Sequence, residues 1–113
     1  MTVTHRSQLP FVDLARELVG ADHGDLPISI IFVEAKPGEG PALHKHPYRE
    51  ILLVLEGQAS CVVGDQEIVV ETGDIVTIPA ETPHSFVNTG TGVLRQVDIH
   101  LSSRFVTDWL DGK

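Results

Sequence analysis

From Ile28 to Leu101 the chain is a succession of short runs rich in Val, Ile and Leu, cut by Gly, Pro or Asp at intervals of about ten residues. Runs this short do not accumulate the turns of an amphipathic helix, but they suit the strands of an all-β domain. The strands expected are Ile28 to Glu34, Ala42 to His46, Glu50 to Glu56, Gln58 to Val63, Gln66 to Val70, Ile75 to Ile78, His84 to Val87, and Val93 to Leu101. Gly64-Asp65 is a two-residue loop of the Gly-X kind that closes hairpins, and its register sets Cys61 opposite Ile68 and Ala59 opposite Val70. Cys61 therefore lies on an apolar face, as a small buried hydrophobe rather than a reactive thiol.

Two groups of metal-ligand residues interrupt this pattern. The first is His44-Lys45-His46 followed by Glu50; the second is His84, in the run Pro79-Ala80-Glu81-Thr82-Pro83-His84. Histidines at i and i+2 share a metal from an extended strand, where alternate side chains point the same way; a helix would need i and i+4. Pro47 follows at once and disfavours helix. Three imidazoles and one carboxylate suit a first-row transition metal. His5 and His23 stand outside any motif and are expected in solvent.

The order Gly38, His44, His46, Glu50, Gly57 resembles the first motif of the cupin superfamily, and Gly73, Pro79, His84, Asn88 resembles the second. The resemblance runs from about Ile28 to Leu101. It implies a small cupin β-barrel, a double-stranded β-helix or jelly roll, with a core at about 28–101 and an N-terminal arm at 1–27. It also makes His44, His46, Glu50 and His84 the ligands of one divalent transition metal per chain: Fe, Mn, Ni, Cu or Zn. The family usually has Gly two residues after the proline; Glu81 stands there, so the turn is expected to differ. Gly38, Gly57 and Gly73 read as turn residues, and Asn88 as a brace for its loop.

The donor set leaves several chemistries open. If the metal is octahedral, four protein ligands leave two positions for a substrate with neighbouring oxygens, or for one oxygen and dioxygen. This supports a metal-dependent oxygenase acting on a diketone, enediol or phenolic compound. A redox-inert metal would instead serve isomerisation, epimerisation or elimination on a sugar or hydroxy acid. The third reading is a small-molecule or metal-binding module without turnover. Both enzymes need a proton acceptor, for which Glu50 is the candidate. In the last strand Gln96, Asp98 and His100 share one face and Val97, Ile99 and Leu101 the other. Either the apolar set packs inward, or the polar set lines the pocket, where Gln96 orients substrate and His100 carries a proton. Tyr48 and Arg49 flank the ligand turn and are read as surface or rim residues.

Length and charge narrow the partners. A chain of 113 residues with eight basic and sixteen acidic side chains, net −8, makes one small domain that repels nucleic acid and anionic membranes. One cysteine excludes an intrachain disulfide, and neither a signal peptide nor a membrane span is visible, so a cytoplasmic location is expected. In Glu50 to Glu56, Leu52 and Val54 share the ligand's parity and pack inward, whereas Ile51, Leu53 and Leu55 face outward. A strand apolar on both faces is covered on both, which predicts a homodimer. At the C-terminus, Ser103 is placed to cap a short helix over 103–111, with Phe105, Val106, Trp109 and Leu110 on one face and Gly112 beyond it. Near the start, Phe11, Leu14, Ala15 and Leu18 fit helical spacing, with a strand as the alternative.

Overall fold

The computed structural model describes residues 1–110 and contains eleven strands among them. They are β1 (Phe11–Val12), β2 (Ala15–Leu18), β3 (Ser29–Ala35), β4 (His44–Lys45), β5 (Glu50–Glu56), β6 (Gln58–Val63), β7 (Gln66–Glu71), β8 (Ile75–Ile78), β9 (His84–Asn88), β10 (Leu94–His100) and β11 (Asp108–Trp109). One antiparallel sheet runs β1-β2-β3-β10-β5-β8 and the other β11-β4-β9-β6-β7. The only helical pieces among the described residues are 3-10 turns at Arg6–Gln8 and Gly20–Asp22. None of the described helices is long and apolar enough to cross a membrane.

The inner faces of the two sheets enclose the core, because alternate residues of each strand point inward. Leu52 and Val54 of β5 are each 2% exposed and meet Val33, Ala59, Val70 and Phe86, while Leu55 on the outer face is 58% exposed. The β6–β7 hairpin closes at Gly64-Asp65 in the expected register, Cys61 opposite Ile68 and Ala59 opposite Val70, and buries Cys61. Gly57 joins β5 to β6 at φ +101°, where a Cβ would also come within 2.9 Å of the Val93 carbonyl oxygen. Both facts require glycine there.

The ends depart from the helical expectations. Phe11 to Leu18 forms the β1–β2 hairpin, turning at Asp13-Leu14 with Asp13 at φ +55°, so the strand alternative is realised. Arm residues thereby extend the first sheet through the pairs Ala15–Val33 and Glu17–Ile31.

The expected C-terminal helix is absent from the described residues: the chain stays irregular after β10 and then forms β11 against β4. The backbone of this segment has partners elsewhere. The Tyr48 hydroxyl and His46 ring take Val106 N–H and C=O, and Leu110 N–H donates to the Leu43 carbonyl. These bonds replace the helix's own. Phe105, Thr107 and Trp109 line the cavity and Val106 and Asp108 do not, so the pattern that mattered has period two. Ser103 caps nothing; its carbonyl accepts from Ala21 N–H. Gly112 and the last residue of the expected helix lie outside the described residues.

Candidate metal centre

His44 on β4, His84 on β9 and Glu50 on β5 are brought together from both sheets, with His46 just beyond β4. All four are buried, and ring atoms of His44, His46 and His84 lie within 4.8 Å of one another. Each ring is fixed from behind by its Nδ1–H, which donates to the carbonyl of Ala42 at 2.7 Å, Val106 at 2.8 Å and Thr82 at 2.8 Å, respectively. Fixing the proton on Nδ1 leaves Nε2 as the inward-facing donor, the usual way a protein prepares an imidazole for a metal.

Glu50 completes the cluster. Its Oε1 lies 3.1 Å from His46 Nε2 and 3.0 Å from His84 Nε2, and its Oε2 lies 3.3 Å from His100 Nε2. Burial alone would raise the Glu50 pKa, but the imidazoles of His100, His46 and His84 packed against its oxygens hold its carboxyl well below the usual carboxylate range. Burial pushes His44 down to about 4. For His84 burial opposes protonation, yet the Glu50 and Thr82 hydrogen bonds raise its pKa.

The donor set fits a transition metal, and one atom tests the fit. His46 Nε2 is fully buried and, although 3.1 Å from Glu50 Oε1, makes no well-directed hydrogen bond, which a folded protein rarely tolerates. A cation among the three Nε2 atoms and Glu50 would satisfy it. His46, Glu50 and His100 form a second close triad through the same carboxylate.

The polar set of β10 faces inward: Gln96, Asp98 and His100 are 1%, 4% and 2% exposed. The Gln96 amide donates to Asp98 Oδ1 at 2.8 Å, and of the three only Asp98 and His100 line the cavity. Burial first and the Glu50 charge second push Asp98 well above the ordinary range. Tyr48 is half-buried rather than a free rim residue. Its hydroxyl lies 2.7 Å from His100 Nδ1, and its ring stacks on His46 at 5.0 Å. A chain of close polar contacts thus runs from Tyr48 through His100 to Glu50. Arg49 is exposed.

Sequence reasoning missed the C-terminal segment as part of the site. Phe105 meets His100 edge-on at 4.9 Å and Trp109 leans on His44 at 5.0 Å. The available signal was the alternation Phe105, Thr107, Trp109. Glu81 holds φ +60° and so keeps the glycine-like turn; its N–H donates to the His46 carbonyl at 2.7 Å and its carboxylate pairs with Lys45 at 3.2 Å. The whole arrangement opens into a cavity of about 480 Å³, a size suited to a small molecule.

The cupin domain family model matches residues 31–100, and the chain belongs to the cupin family. Among curated proteins it is similar to the HTH-type transcriptional regulator PuuR of Escherichia coli strain K12, 29% identical over 93 residues covering 81% of this chain and 50% of the regulator. Among solved structures it resembles the Lactobacillus farciminis oxalate decarboxylase in its formate complex: TM-score 0.83, 21% identity, 95% of this chain and 35% of that one. It also resembles an oxalate oxidase: TM-score 0.76, 23% identity, 85% of this chain and 54% of that one. The chain spans about half the length of the curated relative. At these identities the structural likenesses show the fold.

Proposed function

We propose that this chain is a metal-dependent oxygenase that binds one divalent transition metal through His44, His46, Glu50 and His84 and acts on a small diketone, enediol or phenolic substrate. The observation that carries this reading is the convergence of three backbone-anchored imidazoles and a buried carboxylate, with one Nε2 lacking a well-directed hydrogen bond, at the end of a cavity. The bound metal would supply Lewis acidity and, if redox-active, an electron path to dioxygen.

The protein's own groups supply the rest. Apolar walls from Ile31, Val33 and Phe86 exclude water from the substrate body. His100, held between Glu50 and the Tyr48 hydroxyl, is placed to pass a proton between the pocket and that hydroxyl. Glu50 is the candidate proton acceptor, reached by way of His100 at 3.3 Å. Gln96 sits behind Asp98 and orients that carboxyl, and through it the substrate.

The test has two parts: metal content of untagged protein by plasma mass spectrometry, then oxygen uptake with candidate enediols and phenols. Substrate-dependent uptake, lost when the metal is stripped and restored by Fe or Mn, supports the oxygenase. Turnover without oxygen uptake would replace it by an isomerase, epimerase or lyase.

The similarity to PuuR supports a second reading, a ligand-binding module without turnover. Saturable binding with no product would mark it. The acidic balance and the single buried cysteine support a cytoplasmic setting without nucleic-acid contact by this domain. The outer face of the first sheet supports a homodimer, since Phe32, Val97, Leu53 and Ile75 lie side by side across β3, β10, β5 and β8.

A further inference from the structure

The cavity is electrically lopsided. Among its described lining residues are Asp13, Glu17, Glu39, Glu50 and Asp98, and no Lys or Arg. Glu50 belongs to the histidine cluster, Asp98 is held by Gln96, and Glu39 accepts from the Lys36 backbone N–H. Glu17 and Asp13 form no ion pair among the described residues. The guanidinium nearest in sequence, Arg16, donates to the Ser7 and Leu9 carbonyls.

Position makes Glu17 the informative residue. It pairs with Ile31 on β3, and Ile31 pairs with Asp98 on β10, so the three share one row of the first sheet's inner face. The next inward row holds Ser29, His100 and Glu50. Two strand spacings separate Glu17 from Asp98, about 10 Å. Ile31 stands between Glu17 and Asp98 in that row, and Val33 and Phe86 add apolar surface to the same cavity. At the histidine end His44, His46 and His84 line the same space.

A divalent ion there, with three neutral imidazoles and the Glu50 carboxylate, leaves a net positive end that attracts an anionic oxygen. A second negative group at the far end would meet Glu17 and Asp13 with nothing to neutralise it. We propose that the cavity selects ligands with an oxygen-donor head at the histidine end, an apolar body, and a cationic far end seated against Glu17 and Asp13. This deepens the metal-centred reading above and rests on it. Linear dianions of the same length are excluded. An inward charge close to the edge of the sheet also discourages sheet-to-sheet pairing, but that role predicts no effect on ligand choice.

Three catechols test the idea, because they share head and ring and differ in the charge of the tail: dopamine (cationic), 4-methylcatechol (neutral) and 3,4-dihydroxyphenylacetate (anionic). Their affinities for the full chain loaded with redox-inert zinc are measured by calorimetry without oxygen. Dopamine is expected to bind about tenfold tighter than 4-methylcatechol, and the anionic probe about tenfold weaker. Glu17→Gln should bring the three within about threefold while leaving 4-methylcatechol nearly unchanged, and Glu17→Lys should make the anionic probe the tightest. The same ranking in wild type and both variants, or no ranking in wild type, overturns the proposal. If 4-methylcatechol fails to bind, or binds equally well without zinc, the metal-centred reading fails and takes this proposal with it.

Discussion

His46 shows how little separates a buried histidine from a ligand. Its Nδ1 is bonded to a carbonyl, while its Nε2 has only the Glu50 carboxylate at 3.1 Å and no well-directed hydrogen bond, so the fold leaves one donor to be satisfied by a guest. Replacing His46 or His84 by Ala should lower bound metal to under about a tenth of wild type by plasma mass spectrometry, with the far-ultraviolet circular dichroism of a β-protein retained. Cys61 offers a contrasting prediction. Burial first, and Asp98 second, push its thiol up to about 11 from a reference of 9. The unfolded chain therefore loses this proton first. The stability it contributes is complete below pH 9 and is lost as pH rises toward 11, which alkaline denaturation would show. At pH 8 the native thiol should resist iodoacetamide and react once unfolded. Glu81 carries a smaller effect. Its φ of +60° is strained for a side chain, and its pair with Lys45 is largely exposed, so Glu81→Gly should raise stability by about 1 kcal/mol in urea unfolding.

At the scale of elements, the segment after β10 has the widest reach. It carries the carbonyl that orients His46, the N–H bound by Tyr48, and two aromatic rings over the histidines. Truncation after Ser103 should weaken metal affinity about tenfold in a chelator competition, although every proposed ligand remains. Unchanged affinity would show that the Val106 carbonyl is dispensable. The reason sequence reasoning turned this segment into a helix is instructive. Phe105, Val106, Trp109 and Leu110 fit a helical face as well as Phe105, Thr107 and Trp109 fit a strand. Only Tyr48, His46 and Leu43, distant in sequence, decide between them by claiming its backbone groups. Strand β10 had the same ambiguity, and the register of β10 with Glu50 and Ser29 resolves it.

For the molecule as a whole, the exposed apolar surface is the open question. Ile51, Leu53, Phe32, Val97 and Ile99 are only partly buried, and Leu55 and Ile75 are 58% and 64% exposed. A contiguous apolar sheet face of this kind suits the homodimer proposed above. Light scattering at micromolar concentration should give twice the monomer mass of 12.3 kDa, and Leu53→Lys should return the monomer. Monomeric wild type would show that the face is left to solvent or to another partner.

The sequence by itself determined the strand pattern between Ile28 and Leu101 and the β6–β7 register, and it supplied the candidate ligands. The first two rest on local information, a period of two and a two-residue turn, and the candidate ligands on a motif order that resembles the cupin family. The tertiary structure alone decided which face of β10 looks inward, that Tyr48 reaches His100, and that the C-terminal segment roofs the site. Those outcomes depend on partners fifty or more residues away, such as Tyr48 with His100 and His46 with Val106, and no local periodicity encodes a hydrogen bond between distant segments.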